Sequence, residues 1–317
     1  MTGYLIRRLV QSIIVVFGVV LLTFLLAHLY PKNSAARACL GPKANAQQIQ
    51  QFDHQNHYDL PYIQQFWIYT WGIVRHGDLG RSCRLNESVR SLIEGRIPKT
   101  LVLVGISTVF ALLVAIPLGI LQVVRRNKPV DYFVTSASFV GYAMPAFLLG
   151  ELLIIWFALD LHWFSFEAPQ AQTVWGILSD PRALVLPVFT LAVLTIAGFS
   201  RYMRSSMMEA LTEDYIRTAR AKGASPRRVL YGHALRNALI PIITLLGLTL
   251  PAIVGGAIIT ETVFNYPGMG LLTTNAATQN DVPLLIGTTF VAAVATVLGN
   301  LIADILYVVV DPRVRYA

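Results

Sequence analysis

Residues 209–236 read EALTEDYIRTARAKGASPRRVLYGHALR, the most charged stretch of a 317-residue chain that is otherwise 55% hydrophobic and only 13% charged. That composition, with a mean hydropathy of +0.58, describes a polytopic membrane protein and not a water-soluble domain. On both sides of the stretch, apolar residues gather into runs long enough to cross a hydrocarbon core of roughly 30 Å, which takes about 20 helical residues. Six such runs are readable, at 9–30, 101–124, 133–159, 184–203, 238–259 and 284–310. Each is expected to be helical, because lipid offers no partner to an unpaired backbone amide. Arg7 and Arg8 precede the first run as they would in a signal peptide. The run is longer than a typical h-region and lacks a small-x-small cleavage site, so it reads as a span. The sequence predicts an all-α membrane protein with six transmembrane helices.

Orientation follows from the basic residues near the membrane, which are in excess in short cytoplasmic loops. One parity collects Arg7, Arg8, Arg313, Arg315, the short loop with Arg125, Arg126 and Lys128, and the 209–236 segment with Arg201 and Arg204 just before it. The opposite short loops, 160–183 and 260–283, hold only Arg182. Both termini and 209–236 are therefore expected in the cytoplasm. The basic residues of 31–99 do not object, since a loop of that length is crossed largely regardless of charge. The net charge of +8 follows the topology and forms no single stripe, which argues against nucleic acid as a partner and for the bilayer. The chain divides into a first segment and span (1–30), a long external segment with a helix (31–99), and a core of five spans (100–317).

Both cysteines, Cys39 and Cys83, fall in the external segment, where disulfides persist. A bridge would close a loop of about 45 residues and add on the order of 3 to 4 kcal/mol; two free thiols are the other reading. Within the segment, Ile63, Phe66, Trp67, Thr70, Trp71 and Val74 recur at helical spacing until Gly77 and Gly80 stop them. This aromatic helix either lies at the membrane interface or packs on the bundle.

The charged stretch itself reads as helix, glycine turn, helix. Residues 209–222 lack strong breakers, Gly223 suits a left-handed helix stop, and Ser225 with Pro226 suits the opening of a second short helix through Leu235. An ordinary solvated loop is the bland alternative.

Arg217-Thr218-Ala219, three residues, then Gly223-Ala224 resembles the first half of the cytoplasmic Glu-Ala-Ala–Gly loop of ABC importer permeases. The second half departs from the general pattern: His233-Ala234-Leu235-Arg236 stands where Ile-x-Leu-Pro is usual, and the proline arrives at Pro241. That version resembles the one in oligopeptide and dipeptide permeases. YLIRRL at 4–9, GDLGRS at 77–82, GGAIITETVFNYPGMG at 255–270 and DPRVRYA at 311–317 agree with it. The chain looks like the B-type, longer-looped subunit, although Pro31-Lys32-Asn33-Ser34 replaces the family's usual Pro-Gly-Asp-Pro.

The resemblance implies a type I ABC importer permease fold in a bacterial cytoplasmic membrane. It implies a second permease subunit, two ATPase subunits or domains and an external substrate-binding protein as partners. The chain has no Gly-x-x-x-x-Gly-Lys-Ser/Thr phosphate loop, so no cofactor is expected on it, and ATP and Mg belong to the ATPase partners. The chain is thus expected to be non-catalytic. Coupling to the ATPase falls, by resemblance, on Arg217, Ala219, Lys222, Gly223, Ala224, Ser225, Pro226, Arg227, Arg228 and Val229. Peptides are the implied cargo, with nickel, glutathione and oligosaccharides carried by relatives of the same signature.

Ionisable residues within spans are costly and often functional. His28, Glu261 and Asp304, with Asn300 nearby, lie close enough to the ends of runs to snorkel or cap. Glu151 is deeper, and either pairs with the partner permease or lines the pathway. Pro117, Pro145, Pro187 and Pro251 interrupt four runs. A secondary transporter would show internal repeats, which are not readable between the halves. A membrane enzyme would show a clustered site, and His54-x-x-His57 stands without further ligands, so no metal is expected.

Overall fold

The computed structural model describes residues 2–27, 34–41, 43–255 and 257–310. Among the described residues its regular elements are helices, apart from one hairpin of two-residue strands. The first run becomes α1 (Thr2–Ala27), and the segment after it folds as α2 (Ser34–Leu40), α3 (Ala46–Gln55) and α4 (Tyr62–His76). Strands β1 (Arg81–Ser82) and β2 (Glu87–Ser88) pair antiparallel, with Arg81 opposite Ser88. Next come α5 (Val89–Val124), α6 (Pro129–Ala143), α7 (Ala146–Leu153), α8 (Val174–Leu178) and α9 (Pro181–Ala210). The chain closes with α10 (Asp214–Ala221), α11 (Leu235–Gly255), α12 (Ile258–Val263), α13 (Met269–Thr278) and α14 (Val282–Val310).

Among the described residues, three helices are long and apolar enough to cross a membrane unaided: α5, α9 and α14 over Val282–Ile302. A fourth span forms if α6 and the helix from Ala146 to Asp160 count together, but these bend by 104° at a short break. The run at 133–159, read as one span interrupted by Pro145, is therefore two helices. Pro145 causes this, because proline disfavours helical geometry in the residue before it, and Met144 is extended with ψ 125°. Pro117 and Pro187 sit inside α5 and α9 without ending them. The second half of the broken span continues as a π-helix over Ile154–Asp160.

Helix α5 is 36 residues long and packs into a different apolar cluster at each end. At one end Ala115 and Ile120 pack with Phe199, Met203 and Met207 of α9 and with Ala238 and Ile242 of α11. The approach is close: a Cβ on Gly119 would lie 2.6 Å from that of Met203. Helix α6 is fastened alongside. Arg204 donates from Nε and Nη2 to the two carboxylate oxygens of buried Asp131, each at 3.0 Å. Such a two-point pair fixes direction as well as distance. Gln122 donates to Thr135 and Ser138 meets Ser200, adding rungs.

The other end of α5 carries the aromatic helix and the hairpin. Phe66 of α4 is buried against Phe17 and Phe24 of α1, with ring centroids 5.3 and 5.6 Å away, while Trp67 and Trp71 stay exposed. Of the two readings of this helix, packing on the bundle is the one seen. Gly77 ends it in the left-handed conformation, with φ 62°.

Candidate functional site

The charged stretch does not continue α9. That helix stops at Ala210, residues 211–213 form a turn, and α10 restarts at Asp214, so the single helix read over 209–222 is interrupted. The turn lets α10 lie back on the bundle. Ile216 and Ala219, one turn apart, are buried, and Ile216 joins the α5–α9–α11 core. Asp214, Arg217, Arg220 and Lys222 face outward, and Arg217 reaches Asp214 at 3.1 Å.

Gly223 closes α10 as a Schellman turn. Its N–H donates to the Arg220 carbonyl, and the Ala224 N–H donates to that of Ala219, at 2.9 and 3.1 Å. The φ of Gly223 is +80°, and a Cβ there would meet no atom within 4 Å. The requirement for glycine is therefore conformational, not steric. Ser225 and Pro226 open the next helix, where the Ser225 carbonyl accepts from the Val229 N–H at 2.9 Å. The Ser225 hydroxyl, expected to cap, makes no hydrogen bond among the described residues.

The helix after Pro226 is not short. It passes through a π-helix, Arg228–Ala234, straight into α11. Val229 and Ala234 are buried in the same core as Ile216, whereas Ser225, Pro226, Arg227, Arg228 and His233 are exposed. Burying Ile216 and Val229 contributes about 1.5–3 kcal/mol each. The residues singled out from sequence thus come together on one surface patch with an apolar underside (Ala219, Val229, half-buried Ala224) and a basic outer face. The helix beneath that face is continuous with α11.

The far end holds a second built arrangement. Glu261 of α12 is fully buried, and its carboxylate accepts from the Thr100 hydroxyl of α5 at 2.7 Å and from the first amides of α13, Gly270 and Leu271, at 2.6 and 3.1 Å. Thr100 in turn accepts from Met269 N–H, and Tyr266 donates to the Lys99 carbonyl. A Cβ at Gly268 would collide with this carboxylate and one at Gly270 with the backbone of Ile258, which explains the glycines of the NYPGMG stretch. Glu261 does act as a cap, but for a helix other than its own.

Around the hairpin, Cys39 and Cys83 are joined in a disulfide with Cα atoms 5.2 Å apart. Ser82 donates to Asp281 at 2.5 Å, tying the hairpin to the start of α14. Burial pushes the nearby Tyr58 phenol up to about 12, with Asp281 and Asp53 adding to the effect, so it stays neutral. His54 pairs with Asp59 at 2.9 Å, a hydrogen bond that holds the Asp59 carboxyl below its ordinary range. Glu151, on α7, is exposed and has no hydrogen bond or ion pair among the described residues. Asn300 is exposed as well; the side chains of His28 and Asp304 lie outside the described residues.

A bundle of apolar helices with a basic patch at one end defines a multi-pass membrane protein. The chain belongs to the family described as binding-protein-dependent transport system inner membrane component, whose model matches residues 115–316. The corresponding N-terminal family matches residues 1–104. It is 40% identical over 318 residues to the oligopeptide transport system permease protein AppB of Bacillus subtilis, covering 100% of both chains. It is 36% identical over 316 residues to the glutathione transport system permease protein GsiC of Escherichia coli, again covering 100% of both. With the dipeptide transport system permease protein DppB of Escherichia coli it shares 34% identity over 344 residues, covering 100% of this chain and 99% of the other. The chain is a membrane permease component of an ABC importer and not an enzyme.

Proposed function

We propose that the chain is the transmembrane permease subunit of an ATP-driven importer of oligopeptides or dipeptides. It crosses the bacterial cytoplasmic membrane six times, with both termini cytoplasmic. Its first span (1–30) and external segment (31–99) precede a core (100–317) that forms the pathway together with a second permease subunit. An external binding protein delivers the cargo, and two ATPase chains hold ATP and Mg. The relatives named for oligopeptides, dipeptides and glutathione support a small peptide as cargo. Glu151, a carboxylate without a hydrogen bond or ion pair among the described residues, pairs with the second permease or lines the pathway, since such a charge is costly against lipid.

The observation that carries coupling is the 214–234 patch, seated on the core by Ile216 and Val229 and presenting Arg217, Lys222, Arg227 and Arg228 outward. A groove on an ATPase receives this face, and its movement is passed to α11. Reconstitution of the complex in proteoliposomes tests this through ATP-dependent uptake of a labelled peptide. The variant Gly223→Val should insert and assemble yet lose uptake; wild-type uptake by that variant would overturn the role.

A further inference from the structure

Arg201 sits in α9, a helix long and apolar enough to cross a membrane, one turn before Arg204. The fold treats the two arginines differently. Arg204 is paired with Asp131, the one acid of α6, whereas Arg201 is exposed and its guanidinium makes no hydrogen bond or ion pair among the described residues. Aromatic rings hold it instead. Its Cζ lies 4.9 Å from the ring centroid of Phe139 and 5.7 Å from that of Tyr142, both on α6 and both exposed. Such contacts fix a cation without using up its N–H donors.

The rings also set its depth. Ser138 meets Ser200, and a Cβ on Gly141 would lie 3.2 Å from Val193, so α9 descends as α6 rises. Phe139 and Tyr142 come after Asp131 on α6, about 12 and 16 Å along the helix. The Arg201 side chain therefore leans away from the end marked by Asp131 and the basic loop 125–128, into a hydrocarbon core of roughly 30 Å. An arginine at a lipid boundary does the opposite and snorkels out. A charge at that depth is costly against lipid, so this face meets water or protein. Side chains on a helix lean toward its N-terminus, and Gly198, one turn earlier, has no atom within 4 Å of the place its Cβ would take. The space beside the guanidinium is open.

We propose that Arg201 is a carboxylate site in the translocation pathway, taken in each cycle by the C-terminal carboxylate of the cargo. The inference rests on the reading of that cargo as a small peptide. A guanidinium presents paired donors that match the two oxygens of a carboxylate, and the C-terminal carboxylate is a group that peptides share whatever their side chains. The rings keep the guanidinium in place with no anion present. That suits a site that fills and empties, whereas a standing ion pair needs no such support.

The importer, purified with its partner chains, is reconstituted in proteoliposomes and supplied with a tripeptide carrying a diazirine residue at either its C-terminal or its N-terminal position. After illumination, the C-terminal probe is expected to label Phe139, Tyr142 or Gly198, and the N-terminal probe to label them far less. Arg201→Gln should lower both that label and the initial rate of ATP-dependent uptake about tenfold, the low end of what a hydrogen bond to a charged group contributes. Arg201→Lys, which keeps the charge but loses the fork, should fall between. Equal labelling by the two probes, or uptake by Arg201→Gln at the wild-type rate, would overturn the site and leave the peptide reading intact. A complex that comes apart or melts lower in Arg201→Gln before any peptide is added would assign the guanidinium to an acid of the second permease, and would overturn the proposal. No uptake of any peptide by the wild type would overturn the cargo reading, and the ligand named here with it.

Discussion

Gly223 and Glu261 are two residues whose neighbours decide their meaning in opposite ways. For Gly223 the demand is purely backbone: φ is +80° and the space beside it is empty. Asparagine tolerates that conformation far better than a β-branched residue does. Gly223→Asn should therefore keep most ATP-dependent uptake where Gly223→Val loses it, although the two side chains differ little in bulk. Equal loss in both would point to side-chain contact and against the turn. For Glu261 the demand is three donors converging on one buried carboxylate. Burial raises its pKa, and the bonds from Thr100, Leu271 and Gly270 and the charge of Arg96 oppose that rise. Glu261→Ala strands the donors and should cost about 3 kcal/mol or more, read as a lower melting temperature of the purified complex; Glu261→Gln, which keeps one acceptor oxygen, should cost less. Gly223 was legible because a helix stop is a local event. The partners of Glu261 include Thr100, 161 positions away, and no local pattern carries that pairing.

Elements depart from their hydrophobic runs where a proline or a tertiary contact intervenes. The break at Met144–Pro145 divides one run into two helices bent by 104°. Pro145→Ala removes the restriction on Met144 and should straighten the element. Spin labels at Phe133→Cys and Ile155→Cys would then move apart towards the roughly 33 Å of a continuous helix, and an unchanged distance would mean that packing, not proline, holds the bend. The same logic explains 209–222. Its residues permit one helix, but Ile216 and Ala219 reach the core only if the chain turns at 211–213. Helix propensity is weak beside the burial of two apolar side chains. The continuation of 226–234 into α11 was equally hidden, because the sequence offers polar residues there and the π-helix has no simple signature.

At the scale of the molecule, the two ends of α5 do different work. One end carries the basic patch and the other the disulfide-tied segment of α2 to β2. On a background with Cys39→Ser and Cys83→Ser, Ser225→Cys should react with an impermeant thiol reagent only from the cytoplasmic side and Gln51→Cys only from outside. The reverse pattern would refute the orientation. The same background should lose at most about 4 kcal/mol from the external segment by loop entropy, seen as faster proteolysis within 34–60. By itself the sequence determined the membrane class, the positions of the apolar runs and the glycine-punctuated basic stretch. Those depend on composition, period and local conformation, which neighbouring residues set. Only the tertiary structure decided which carboxylate is buried, how the broken span folds and that the basic stretch is rooted in the core. These depend on contacts between residues far apart in the chain, and the pairing of distant surfaces leaves no trace in local pattern.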